Sequence, residues 1–344
     1  MRTAMKTIEV KGEKSNSSIF IGESLLKLLN YTPVENVFIV TDSNVEQLYQ
    51  SHFPKFPVFV LKPGEAQKNL SNAEAIYQWL LDNGADRSSF IVGIGGGVVC
   101  DMAGFIASTY MRGVRFGFVS STLLSQVDAS IGGKNGLDLD NYKNVIGTFN
   151  QPEFVICDTA LLVTLPITEL RCGLAEVVKH TLISDRKMFE FLEQNYSRAL
   201  SLEKEVIDLL VEHSVETKAG IVNRDEKEKG ERRKLNLGHT WGHAIEKITG
   251  IPHGEAVSIG IAFTAWLSEK RGLLSSTERD RIIALLHLLG LPTSSDVSRE
   301  AAMEALLHDK KKEGTKMHFV LMEGIGNVTV EAISIEELKR SILE

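Results

Sequence analysis

Up to about Pro166 the sequence alternates short β-branched runs with amphipathic helical patterns, and beyond it strand signals almost vanish. That change of texture constrains the fold more than any other feature. Val37-Phe38-Ile39-Val40 predicts a strand, and Thr41-Asp42-Ser43-Asn44 supplies turn and N-cap chemistry for a helix over 45–49. Val58 to Leu61 predicts the next strand. Ser71-Asn72 is expected to cap a helix through Ala73, Ile76, Trp79, Leu80 and Leu81 that stops at Asn83-Gly84. Phe90 to Ile94, Val114 to Val119 and Phe154 to Cys157 complete the strand set. Strand–helix–strand repetition implies a parallel sheet covered by helices. Helical periodicity then fills 169–183, 186–194, 198–220, 239–249, 254–272 and 276–289, interrupted by a strand pair near 317–322 and 327–330.

The expected architecture is therefore an α/β, Rossmann-like parallel-sheet domain over 1–167 and a mainly α-helical domain over 168–344. A length of 344 residues also favours two cores over one. Clefts between closely joined domains are common ligand sites.

Thirty-eight Lys and Arg against 45 Asp and Glu leave a net charge of -7. An acidic chain is poorly suited to coating nucleic acid, which asks for a basic face. Local basic clusters, such as Lys310-Lys311-Lys312 and Arg232-Arg233, still allow an anionic small molecule. The three cysteines, Cys100, Cys157 and Cys172, lack metal-type spacing and are read as reduced structural thiols of a cytoplasmic protein. Residues 1–10 carry no continuous apolar run, and no stretch reaches the length of a membrane span.

Two constellations carry chemistry. Gly93-Ile94-Gly95-Gly96-Gly97-Val98-Val99-Cys100-Asp101 follows a strand and opens a helix, where backbone N–H groups and the helix dipole suit a pyrophosphate. Alone, that cluster fits a tight turn without a ligand equally well. The turns at Thr41–Asn44 and at Pro63-Gly64-Glu65 with Lys68 end the two preceding strands and strengthen the nucleotide reading. The second constellation is His239 and His243, four apart and so on one helix face, with His253 in Pro252-His253-Gly254-Glu255 and Glu176 in a helical segment with apolar neighbours. A carboxylate with two or three imidazoles suits a catalytic zinc that keeps an open position, although no Glu follows His239 as in the zincin pattern. Without a metal, Glu176 would be a surface carboxylate on an amphipathic helix. His52, His213 and His287 are read as surface residues.

These motifs, taken in order from about Asp42 to Gly326, resemble the 3-dehydroquinate synthase family. The resemblance is carried by Gly95-Gly96-Gly97-Val98 with Asp101, Ala107 to Gly113, Thr122 to Asp128, Ile131-Gly132-Gly133-Lys134, Lys143-Asn144 with Gly147, the Glu176–Lys179 segment, Asn236 through His243, His253-Gly254-Glu255 and Asp309-Lys310-Lys311. It implies a metal, zinc or cobalt, held by Glu176, His239 and His253. It implies substrate contacts from Asp128, Lys134, Asn144, Lys179, Lys218, Arg232, Asn236, His243 and one of Lys310 or Lys311. Arg112 would serve the partner's site in a homodimer. NAD would meet Asp42, Asn44, Glu65, Lys68, Gly96, Gly97, Val98, Asp101, Ser121, Thr122, Lys143, Leu161 and Thr164. The chain departs from the family pattern at Ser120-Ser121-Thr122, where Pro-Thr-Thr is common, at Asn135 in place of Thr, and at Tyr142 in place of Gly.

The implied reaction is the NAD- and metal-dependent cyclisation of 3-deoxy-D-arabino-heptulosonate 7-phosphate to 3-dehydroquinate with release of phosphate, a step towards aromatic amino acids. The substrate is a phosphorylated sugar acid, whose phosphate and carboxylate account for the many cationic residues. Oxidation at C5 acidifies the neighbouring C–H, phosphate leaves, the hydride returns, and an aldol step closes the ring. Lys134, Lys179 and one of Lys310 or Lys311 would hold the phosphate, and His243 would move the proton of the C5 hydroxyl. A non-enzymatic metal- or nucleotide-binding module would have little use for basic residues clustered around a metal, and two other enzyme readings compete. One is another sugar phosphate cyclase, such as 2-deoxy-scyllo-inosose or epi-valiolone synthase, against which Lys218, Arg232 and Asp309-Lys310-Lys311 argue. The other is a metal-dependent alcohol or glycerol dehydrogenase, which would release NADH.

Overall fold

A computed structural model describes residues 5–13, 15–140, 142–310 and 316–343. By internal contacts the chain divides into two compact units, Met1–Leu165 with Ile207–Lys227, and Pro166–Val206 with Glu228–Glu344.

Among its described residues the first unit carries nine strands: β1 (Lys6–Lys11), β2 (Asn16–Ile21), β3 (Val37–Asp42), β4 (Val58–Leu61), β5 (Phe90–Gly95), β6 (Arg115–Ser120), β7 (Lys134–Leu139), β8 (Tyr142–Phe149) and β9 (Phe154–Cys157). Seven of them form one sheet in the order β1-β2-β9-β6-β5-β3-β4, parallel except for the β1–β2 pair. Every residue of β5 is buried, as expected of a strand covered on both faces. From β3 the chain steps outward to β4, then returns to β5 on the opposite flank of β3. The strand order therefore reverses between β3 and β5, the place where open α/β sheets bind ligands at their carboxyl ends.

The expected strands and the helices α1 (Ser43–Tyr49), α2 (Leu70–Asp82) and α3 (Gly97–Thr109) are all present. Asp42 caps α1 by accepting from the N–H groups of Asn44 and Val45. The cap of α2 is Asn69, not Ser71-Asn72, because the Asn69 carboxamide accepts from the Asn72 N–H at 2.9 Å and starts the helix two residues earlier. Strands β1 and β2 and the β7–β8 hairpin are absent from the sequence reading. Burial alternates along β1 and β2, and all four strands are too polar for an apolar-run criterion.

The second unit holds α4 (Ile167–Ser184), α5 (Arg186–Leu200), α7 (His239–Thr249), α8 (His253–Lys270), α9 (Ser276–Leu288), α10 (Arg299–Lys310), the antiparallel pair β10 (Lys316–Gly324) and β11 (Asn327–Ser334), and α11 (Ile335–Leu343). Its core includes Trp241, Ile245, Ile259, Leu267, Phe319, Leu321 and Leu338. The segment expected as a helix over 198–220 is divided. α5 runs on to Leu200, the chain turns at Leu202 with φ of 56°, and α6 spans Lys204–Arg224.

The units divide at 165/166 rather than 167/168, and one later segment rejoins the first unit. From Ile207 onward α6 belongs with the sheet unit. The physical reason lies at the sheet edge, where Lys6 pairs with both Glu212 and Glu216 at 2.5 Å. The β1 backbone also exchanges hydrogen bonds with Asn223, through Lys11 N–H and the Glu9 carbonyl. Those partners are some 200 residues apart, and no local pattern announces them. His213 lies on this helix and is buried, which corrects its reading as a surface residue; His52 and His287 are exposed.

Candidate active site

At the β3/β5 reversal the strand ends present the expected nucleotide residues. Gly96 is the N-cap of α3, so the helix opens on bare backbone at Gly97 and Val98. A Cβ on Gly96 would lie 3.0 Å from the Thr122 methyl, so any larger residue there would push Thr122 aside. Ser121 donates its N–H to the Gly95 carbonyl, and its buried hydroxyl has no hydrogen-bond partner among the described residues. Next to this turn Lys68 is buried and pairs with Asp101 at 2.5 Å. Burial opposes the charge on Lys68, but Asp101 and Glu65 outweigh it and hold the ammonium above its usual range. Glu65 also lies 3.8 Å from Lys143. A second group forms where the Tyr49 hydroxyl meets the Leu161 carbonyl at 3.0 Å and the Thr164 hydroxyl at 2.7 Å. Tyr49 was not singled out from the sequence; as the last residue of a short helix it carries no motif. Asn44 sits in the first turn of α1.

The same unit positions five of the expected substrate residues. Asp128 lies in a π-helical turn, Ser125–Ala129, a rare irregularity that often marks functional positions. Lys218 of α6 donates to the Asp128 carbonyl and pairs with its carboxylate, both at 2.8 Å. Lys134 is exposed on β7, and Asn144 is exposed on β8 with φ of 54°. Arg112 is exposed with φ of 72°, straight after Met111 with φ of 49°.

In the helical unit the metal candidates converge. Glu176 and Lys179, one turn apart on α4, are both fully buried and form an ion pair. The Glu176 carboxylate is not on a surface. Its Oε1 lies 3.5 Å from His239 Nε2 and 3.4 Å from His253 Nε2. His239 opens α7 and His253 opens α8. Close helix approach makes this possible. A Cβ on Gly254 would overlap Cys172 of α4, and one on Gly260 would overlap the Gly238 carbonyl at the start of α7.

The donor set fits a divalent ion. Ligand bonds of about 2.0–2.1 Å in a tetrahedron put donors about 3.3–3.4 Å apart. The measured 3.4 and 3.5 Å match that spacing. Burial, helped by Lys179, pushes the His239 imidazole down to about 3, so it stays neutral and able to donate. Burial also acts to lower His253, but the hydrogen bonds and charges of Glu176 and Glu246 prevail and raise it to about 9. The carboxylates thus favour positive charge at this point. His243 lies beside the pair, its ring centre 5.1 Å from that of His239 and 5.9 Å from that of His253.

Arg232 is buried and Asn236 half-buried on the short helix Glu231–Asn236, where the Asn236 amide donates to Glu228. Glu228 and Glu246 were not expected as participants, since isolated carboxylates between motifs give no sequence signal. Lys310 closes α10, but its side chain, like all of Lys311, lies outside the described residues. The three cysteines are free and buried, in line with structural thiols. No described helix is long and apolar enough to cross a membrane.

Two family models together match most of the chain. Residues 58–172 match the model of the 3-dehydroquinate synthase N-terminal region, and 173–312 that of its C-terminal region. A 3-dehydroquinate synthase of Alkaliphilus metalliredigens is 37% identical over 97% of each chain. Among solved structures, 2-epi-5-epi-valiolone synthase of Streptomyces hygroscopicus, with NAD+ and Zn2+ bound, superposes with a TM-score of 0.87 at 25% identity, covering 99% of this chain and 98% of that one. A 2-deoxy-scyllo-inosose synthase with carbaglucose-6-phosphate, NAD+ and Co2+ gives 0.83 at 26%, covering 98% and 99%. With both halves matched by the family models and relatives near 40% identical over nearly the whole length, the chain belongs to the 3-dehydroquinate synthase family.

Proposed function

We propose that the chain is a carbon–oxygen lyase converting 3-deoxy-D-arabino-heptulosonate 7-phosphate to 3-dehydroquinate with release of phosphate. The observation that carries this is the Glu176, His239 and His253 cluster at ligand spacing, in a chain related over nearly its whole length to curated 3-dehydroquinate synthases. When bound, NAD supplies a hydride acceptor and donor, and a zinc or cobalt ion supplies a Lewis acid.

Residues 1–167 would hold the nucleotide, with Gly96, Gly97 and Val98 offering backbone to the pyrophosphate. Asp42, Asn44, Glu65, Lys68, Asp101, Ser121, Thr122, Lys143, Leu161 and Thr164 would complete that site. Residues 168–344 would hold the metal through Glu176, His239 and His253. Lys134, Lys179 and Lys310 or Lys311 grip the substrate phosphate, while Lys218, Arg232, Asn236, Asn144 and Asp128 fix the sugar acid. In the proposed homodimer Arg112 serves the partner's site. His243, exposed on its helix but near the ligand imidazoles, moves the proton of the C5 hydroxyl. Three buried, protonated thiols accord with a cytoplasmic enzyme.

The purified protein, given the heptulosonate phosphate, should release one phosphate per turnover with no net rise in NADH absorbance. The same assay with sugar phosphates that lack the carboxylate tests the cyclase alternatives, and glycerol tests the dehydrogenase. Phosphate release from a substrate lacking the carboxylate, or accumulation of NADH, would replace this reading. His243→Ala should keep its metal and lose turnover; loss of both would make His243 a ligand.

A further inference from the structure

The metal reading of Glu176, His239 and His253 leaves one buried carboxylate of the helical unit without a role. Glu246 sits seven residues after His239 on α7, on the face that also carries His243. Its residue is 7% exposed. A carboxylate so buried requires a cationic or donor partner. Its backbone carbonyl accepts from Gly250 N–H at 2.8 Å, and Gly250, with φ of 69°, ends the helix. Two residues later Pro252 leads into α8, so His253 arrives directly beside the last turn of α7.

We infer that Glu246 is a positioning residue for the metal centre, holding the Nδ1 edge of His253 so that Nε2 faces the ion. This rests on the ligand assignment above. Glu246 Oε2 lies 3.6 Å from His253 Nδ1, while His253 Nε2 lies 3.4 Å from Glu176 Oε1. The two ring nitrogens thus face two different carboxylates. Only one of them can be the ion's, and Glu176 is the carboxylate that His239 Nε2 also approaches. Glu246 therefore faces the proton-bearing Nδ1.

His239 shows the same design with a neutral anchor, its Nδ1 lying 3.1 Å from the Leu237 carbonyl. Both imidazole ligands are fixed through Nδ1 by an oxygen, one uncharged and one a carboxylate. A carboxylate partner orients the ring, fixes the tautomer and makes the ligand a stronger donor, and its loss typically weakens metal binding about 10- to 100-fold. The ligand atoms of His243, Glu246 and His253 also lie within 4.8 Å of one another, so the competing possibility is that Glu246 is itself a ligand to a second ion.

The test measures zinc affinity by chelator competition, ion stoichiometry, the visible spectrum of the cobalt form and the ring-nitrogen NMR shifts of His253. Wild-type protein should bind one ion per chain, with His253 protonated at Nδ1 and bound through Nε2. Glu246→Ala should bind zinc about 10- to 100-fold more weakly, shift the cobalt bands and relax the His253 tautomer. Glu246→Gln keeps an acceptor and should fall between the two. Wild-type affinity and tautomer in both variants would overturn the inference, as would two ions per wild-type chain. If Glu246→Ala does not fold, the wild-type nitrogen shifts still decide, because a proton on Nε2 excludes this role. His239→Ala separates the two layers. If it keeps a full ion, the ligand assignment itself fails; if it loses the ion while the Glu246 variants bind normally, only the positioning role fails.

Discussion

The strand-end turns of the sheet unit and the Glu–His cluster of the helical unit are built from different material. At the turns, the groups a nucleotide would meet are mostly backbone, and the charged side chains already have partners. Asp42 caps α1, and Lys68 pairs with Asp101. In the cluster a fully buried carboxylate faces two imidazoles at 3.4 and 3.5 Å. The first arrangement has its charges paired within the protein. The second gathers a carboxylate and two imidazole nitrogens at a spacing where one cation can take all three. Metal should therefore be coupled to the stability of its unit, and nucleotide much less so.

Breaking the cluster is the harshest test of that contrast. Glu176→Gln keeps the shape and removes the charge. It should lose stoichiometric metal and lower turnover by about 10³-fold or more, since Lewis-acid assistance is worth several kcal/mol and each 1.4 kcal/mol is tenfold. Metal analysis beside steady-state kinetics checks it. Full metal content in the variant would mean that the Glu176 carboxylate is not a ligand.

A pair of glycine substitutions sharpens the comparison at smaller scale. Gly254→Ala forces a methyl against the backbone of Cys172, which cannot step aside. It should cost about 1–3 kcal/mol in denaturant unfolding and weaken metal binding, as overpacking does. Gly96→Ala meets only the Thr122 methyl at 3.0 Å. It should leave stability within about 1 kcal/mol, as a strain that one side chain can absorb, yet reduce NAD affinity. Equal effects on stability would erase the distinction between the two regions.

The thiols give the mildest test. Burial pushes Cys157 up to about 12 and Cys172 up to about 11, and raises Cys100 as well. A raised folded-state value means that the stability lent by the protonated thiol is complete below its ordinary 9.0 and is lost as pH climbs through 11 to 12. At pH 8 a disulfide reagent should find no reactive thiol in native protein and three after denaturation. If chelation exposes Cys172, which abuts Gly254, before the two in the sheet unit, the link between metal and helical packing is direct.

Local chemistry decides much of this molecule. β-branched runs such as Phe90–Ile94, the glycine turn that opens α3 and the capping Asp42 are short-range features, legible in sequence because propensity, periodicity and turn preference act within a few residues. The His239–His243 spacing is legible for the same reason. Tertiary structure alone decided the rest. It buried Glu176 and His213, tied α6 to β1 through Lys6, Glu212 and Glu216, and brought Glu246 up to His253. Those pairings depend on where distant segments pack, and the free energy of a buried charge depends on the partner it meets there rather than on its neighbours in the chain.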